Sequence, residues 1–126
     1  MKNILYFSLL ILFACHHHDE NDVNAPKLVI TGPTEGAVLK NGAEVSITGQ
    51  VTDESLHEMS IQVQLKSDNS VLFKSTPEVH DKTSYNFKEV LKPNFTNDTT
   101  KVYLAVEVFD HSDHKTMDTL NFTIAK

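Results

Sequence analysis

Residues 43–65 read AEVSITGQVTDESLHEMSIQVQL, and their alternation decides the fold. Val45, Ile47, Gly49 and Val51 share one face of an extended chain, with Glu44, Ser46, Thr48 and Gln50 on the other. Beyond the polar Asp53-Glu54-Ser55, the alternation resumes with Met59, Ile61, Val63 and Leu65. Successive side chains of a strand point to opposite sides, so this period places one face in a core and one in water. Working outward, Leu28 and Ile30 alternate before Thr31-Gly32-Pro33, and Val38-Leu39 precede Asn41-Gly42. Val102, Leu104, Val106 and Val108 repeat the pattern, and Leu120, Phe122 and Ile124 close it. Outside the first fifteen residues no window carries a helical apolar stripe.

Polar turn residues separate these runs: Ser67-Asp68-Asn69, Asn94 to Thr100, and Asp110 to Asp113. The strands are expected at 27–32, 43–52, 57–66, 70–75, 83–91, 101–109 and 116–125. About seven short strands in about 100 residues predict an all-β, immunoglobulin-like or fibronectin-III-like sandwich. The short fourth strand is left open between the two sheets. With no Trp and one Cys, the Cys–Trp–Cys core of antibody domains is absent.

Residues 26–53, PKLVITGPTEGAVLKNGAEVSITGQVTD, resemble the opening of bacterial immunoglobulin-like and fibronectin-III-like domains. Residues 103–124, YLAVEVFDHSDHKTMDTLNFTI, resemble their closing strands, with His-Ser-Asp-His in place of the common loop after the aspartate. The whole is similar to small immunoglobulin-like lipoproteins of Bacteroidetes grouped as domains of unknown function, of the DUF4625 type. That resemblance implies a sandwich and carries no activity.

The chain begins MKNILYFSLLILFAC, with Lys2 ahead of an apolar run from Ile4 to Phe13. The run is too short to span a bilayer and has the layout of a secretion signal. Leu12, Ala14 and Cys15 resemble a bacterial lipobox, with Phe13 where a small or hydroxyl residue is usual. The resemblance implies removal of residues 1–14 and acylation of Cys15, the one cysteine, which multiple acyl chains would anchor firmly. Residues 16–26, HHHDENDVNAP, are polar and read as a flexible tether. Asp19-Glu20 stand where Bacteroidetes-type lipoproteins resembling this one carry a surface-export signal. The expected organisation is a signal peptide at 1–14, lipidated Cys15 with its tether at 15–26, and a sandwich at 27–126. The expected location is the bacterial cell envelope, lipid-anchored at the outer membrane.

The formal net charge is −6, which argues against a nucleic-acid partner. All eleven basic residues are lysine, and a phosphate or carboxylate receptor would ordinarily use the planar fork of arginine. With Cys15 committed to lipid, no cysteine nucleophile remains. Ser112 lies beside His111 and His114, but neighbouring loop residues rarely make a triad, which draws its members from separate elements. The chain reads as a non-enzyme.

The histidines point elsewhere. In a seven-strand sandwich, the loops after the second, fourth and sixth strands share one end. His57, His80, His111 and His114 fall in or beside these loops, as do Asp53, Glu54, Asp81, Asp110 and Asp113. His57 is in phase with Met59 and Ile61, Asp110 with Val106 and Val108, and His114 with Leu120 and Phe122. These three are therefore expected to lean towards the gap between the sheets. Imidazole with carboxylate suits Zn²⁺, Cu²⁺ or Ni²⁺ better than Ca²⁺ or Mg²⁺. The expected ligands are His57, His80 and His114, with His111 or Asp110 as the fourth. The bland alternative is a set of solvated loop histidines, with Asp110 capping its turn.

A second function class is a protein- or glycan-interaction module at the cell surface. Tyr103 and Phe109, on the outward face of the sixth strand, would then be the contacts.

Overall fold

The computed structural model describes residues 22–126. The proposed signal peptide (1–14), Cys15 and the tether as far as Asn21 lie outside the described residues. Within them the chain forms eight strands: β1 (Lys27–Gly32), β2 (Val38–Lys40), β3 (Val45–Thr52), β4 (Leu56–Leu65), β5 (Val71–Ser75), β6 (Ser84–Leu91), β7 (Thr99–Asp110) and β8 (Lys115–Ala125). They make a three-stranded sheet, β1-β3-β6, and a five-stranded sheet, β2-β8-β7-β4-β5. The protein is an all-β sandwich of the immunoglobulin and fibronectin-III-like kind.

The core is what the period-two pattern requires. β3 buries Val45, Ile47 and Val51; β4 buries Met59, Ile61 and Val63; β7 buries Val102, Leu104, Val106 and Val108. Leu120, Phe122 and Ile124 of β8 complete the inner face of the larger sheet. Each fully buried side chain of this size contributes about 1.5–3 kcal/mol relative to an exposed one. Gly49 interrupts the apolar row of β3 because Phe87 of β6 lies over it. A Cβ there would sit 2.2 Å from Phe87 Cζ and 2.4 Å from the Val29 carbonyl oxygen.

Two features were not legible in the alternation. Val38–Lys40 forms an eighth strand, pairing in parallel with Thr123–Ala125. The fourth expected strand, β5, pairs with β4 and so belongs to the larger sheet. The chain then crosses to β6 in the smaller sheet through residues 76–83. Val79 in this crossover is 1% exposed and closes one end of the core.

Of residues 22–26, expected as the last part of the tether, Asp22 and Pro26 touch the sandwich while Val23, Asn24 and Ala25 are exposed. Pro26 is buried, and its carbonyl accepts the Thr116 hydroxyl hydrogen at 2.5 Å.

Candidate metal centre

Three connections build one pole of the sandwich: β3–β4, β5–β6 and β7–β8. The first is a tight polar turn in which the Ser55 amide donates to Asp53 Oδ1 at 2.8 Å. Burial is the main reason the Asp53 carboxyl is held above its usual value; the Ser55 hydrogen bond opposes this, while Asp22 and Asp110 reinforce it. β4 then opens with a bulge. Leu56 is opposite Asp110 and Glu58 is opposite Phe109, so His57 is the extra residue.

In the β5–β6 crossover, the His80 amide donates to Glu78 Oε1 at 3.1 Å. Asp81 follows in the left-handed region, with φ of 61°. Aspartate tolerates this conformation better than most residues. The crossover is stitched to β4 by Asp81 N to Leu56 O at 2.9 Å and Leu56 N to Lys82 O at 2.9 Å. The β7–β8 turn joins the same frame through His111 N to Ser55 O at 3.1 Å. All three connections are therefore held together by main-chain hydrogen bonds, independently of any ligand.

This frame gathers His57, His80 and His111. Their ring centroids are 5.3 Å (57 to 80), 4.6 Å (57 to 111) and 4.6 Å (80 to 111) apart. One ring nitrogen from each lies within 4.8 Å of the other two. The carboxylate of Asp81 touches two of the rings, with Oδ2 3.0 Å from His80 Nδ1 and Oδ1 2.9 Å from His111 Nε2. His57 Nε2 lies 3.7 Å from Glu58 Oε1. Its Nδ1 is buried without a hydrogen-bond partner among the described residues. The side chain of His111 is 20% exposed and that of His80 49%, so the cluster sits at the surface with one deeper member.

The expected ligand set of His57, His80 and His114 is not brought together. His114 Nδ1 instead lies 2.8 Å from Asp110 Oδ2, and Asp22 joins these two in a separate group. Asp110 is 1% exposed, and its Oδ1 accepts the amides of Ser112 at 2.7 Å and His114 at 2.8 Å. A carboxylate so buried must be surrounded by donors, and the turn and His114 supply them. Asp110 therefore caps the β7–β8 turn, and His111 stands in the cluster where His114 was expected. The inward phase expected for His57 also fails. The bulge shifts the count by one, and Leu56, fully buried, takes the interior place. Asp81 was visible in the sequence only as one of several carboxylates at this pole, because nothing local reveals its left-handed conformation.

Tyr103 and Phe109 do face outward on β7. Both are partly covered: the Tyr103 hydroxyl donates to Gln64 Oε1, and Lys115 Nζ lies 5.7 Å from the Phe109 ring centroid. Phe109 also lines a groove of about 420 Å³ that begins at His57 and runs over Met59, Pro77 and Val79. Glu58, Glu78 and Glu107 line the same groove.

No protein-family model and no curated protein sequence matches the chain. Over 80% of its length it is similar to an engineered protein of known crystal structure, at 14% identity and a TM-score of 0.50, covering 20% of that chain. It is also similar to the Clostridium thermocellum CbhA fibronectin(III)-like modules, at 15% identity and a TM-score of 0.45. That match covers 80% of this chain and 47% of the other. A third similar structure is the CARDB domain of a Pyrococcus furiosus protein in complex with di-metal ions, at 10% identity and a TM-score of 0.43. Here 81% of this chain and 96% of the other are covered. The chain thus spans about a fifth of the first of these proteins and about half of the second. At such identities the likeness is one of fold alone.

Proposed function

We propose that this sandwich is a non-enzymatic binding module that takes a transition-metal ion at its His57–His80–His111 pole. A lipid anchor at Cys15 would hold it on the bacterial cell envelope, at the outer membrane. One observation carries the metal reading: three imidazoles from three separate connections offer nitrogens within 4.8 Å of one another. Imidazole is a preferred donor for Zn²⁺, Cu²⁺ and Ni²⁺, and a nitrogen-rich set disfavours Ca²⁺ and Mg²⁺. The frame of main-chain hydrogen bonds reduces the ordering cost that binding would otherwise carry. The buried, unpartnered His57 Nδ1 is a polar atom that a bound cation would satisfy.

The test is thermal melting of the full chain with His16, His17 and His18 replaced by serine, since that run could bind metal by itself. An ion that binds only the folded state raises its stability. A melting shift on adding Zn²⁺, Cu²⁺ or Ni²⁺, reversed by chelator and lost in His57→Ala/His111→Ala, supports the reading. No shift with any of the three ions retires it.

A further inference from the structure

We infer that Asp81 positions this metal centre without ligating the ion, leaving a three-imidazole site whose fourth place is open to a neutral nitrogen donor from outside. The inference rests on the metal reading above. A neutral imidazole carries one N–H and one lone pair, and a carboxylate contact selects the N–H side. Asp81 places Oδ2 3.0 Å from His80 Nδ1 and Oδ1 2.9 Å from His111 Nε2. A proton held on each of those two nitrogens by the carboxylate would leave the lone pairs on His80 Nε2 and His111 Nδ1. For His57, Glu58 lies near Nε2, and Nδ1 is the buried atom without a partner. His80 and His111 thus share one carboxylate behind them, the arrangement that fixes tautomer and ring direction in histidine metal sites.

Three protein donors leave one position of a tetrahedral ion unfilled. His57 is the ring shared between the cluster and the groove, so the fourth position is reached from there. The groove has an apolar floor of Met59, Pro77, Val79 and Phe109, with Glu58, Glu78 and Glu107 as its charged members. Those carboxylates repel an anionic donor and tolerate an imidazole or amine. Free imidazole is therefore the probe, with acetate as its anionic counterpart.

The experiment compares parent and Asp81→Asn in the full chain with His16, His17 and His18 replaced by serine. Asparagine accepts the left-handed conformation, so the variant adds little backbone strain. Ring ¹⁵N shifts of the metal-free protein should show the Nδ1–H tautomer at His80 in the parent, lost in Asp81→Asn. Zn²⁺ and Co²⁺ affinity should fall on the order of 10–100-fold, with Asp81→Glu recovering part of it. The visible spectrum of the Co²⁺-saturated protein should keep its form in Asp81→Asn. In the parent it should respond to imidazole and ignore acetate. A changed saturated spectrum would make Asp81 a ligand and overturn the inference. Unchanged affinity, an unchanged tautomer, or no response to imidazole would overturn it as well. A parent that binds neither ion overturns the metal reading itself, and that failure shows before any variant is compared.

Discussion

Asp110 and His114 are joined twice: Oδ1 of the aspartate accepts the His114 amide at 2.8 Å, and Oδ2 lies 2.8 Å from His114 Nδ1. The pair closes the β7–β8 turn from inside and leaves His111 to turn towards His57 and His80. Replacing Asp110 with alanine strips a buried acceptor from the Ser112 and His114 amides and from the His114 ring. Unfolding in urea should show a loss of about 3 kcal/mol for Asp110→Ala, since buried donors would be left without acceptors. A loss below about 1 kcal/mol would mean that water replaces the carboxylate.

The same relationship separates the two groups of ligand-type side chains. At a metal concentration of 100 times Kd, binding adds about 2.7 kcal/mol, a melting shift on the order of 10 °C for a domain of this size. His57→Ala, His80→Ala and His111→Ala should each abolish most of that shift, and His114→Ala should preserve it. If His114→Ala removed the shift as completely as the other three, the cluster would be wrongly drawn.

Gly49 is the point where the three-stranded sheet tolerates no added atom. A Cβ would fall 2.2 Å from Phe87 Cζ and 2.4 Å from the Val29 carbonyl, so both the ring and β1 must move. Gly49→Ala should cost about 3 kcal/mol, at the upper end of overpacking effects, read as a lower urea midpoint. A midpoint within error of the parent would show that Phe87 can rotate away freely.

Asp53 carries a carboxyl held above its usual value, chiefly by burial. The folded chain therefore binds its proton more readily than the unfolded chain, and the charged form is the unfavourable one. Its effect on stability is most adverse above the folded value and disappears as pH falls through it. Asp53→Asn keeps an acceptor for the Ser55 amide, so it should be more stable than the parent at pH 7. The gap in melting temperature should narrow as pH is lowered from neutral into the carboxylate range. A gap that stays constant or widens over this range contradicts the assignment.

Much of the fold was legible in single segments. Val45, Ile47 and Val51, or Val102 to Val108, declare their inner face by spacing alone, because a strand alternates sides and the core admits only one of them. Polar turns gave the order of the connections and so brought four histidines to one pole. The short strand at Val38–Lys40 was missed because three residues are too few to show a period, and its partner is distant in the chain. The sheet to which β5 belongs was equally hidden, since Val71 and Leu72 are exposed edge residues with no clear inner face.

The choice among the histidines lay beyond any local pattern. An extra residue in β4 moves His57 out of phase with Met59, and that bulge exists only as a mismatch with β7. Asp81 reaches both His80 and His111 because the β5–β6 crossover is bonded to Leu56, a contact between segments 25 residues apart in the chain. Sequence by itself determined seven of the eight strands, the inner faces of the longer ones and the end of the sandwich where the histidines gather, because side-chain alternation and turn residues act within a few positions. Only the tertiary structure decided that His57, His80 and His111 meet while His114 turns to Asp110. Register, bulges and the need to satisfy a buried carboxylate are properties of paired segments.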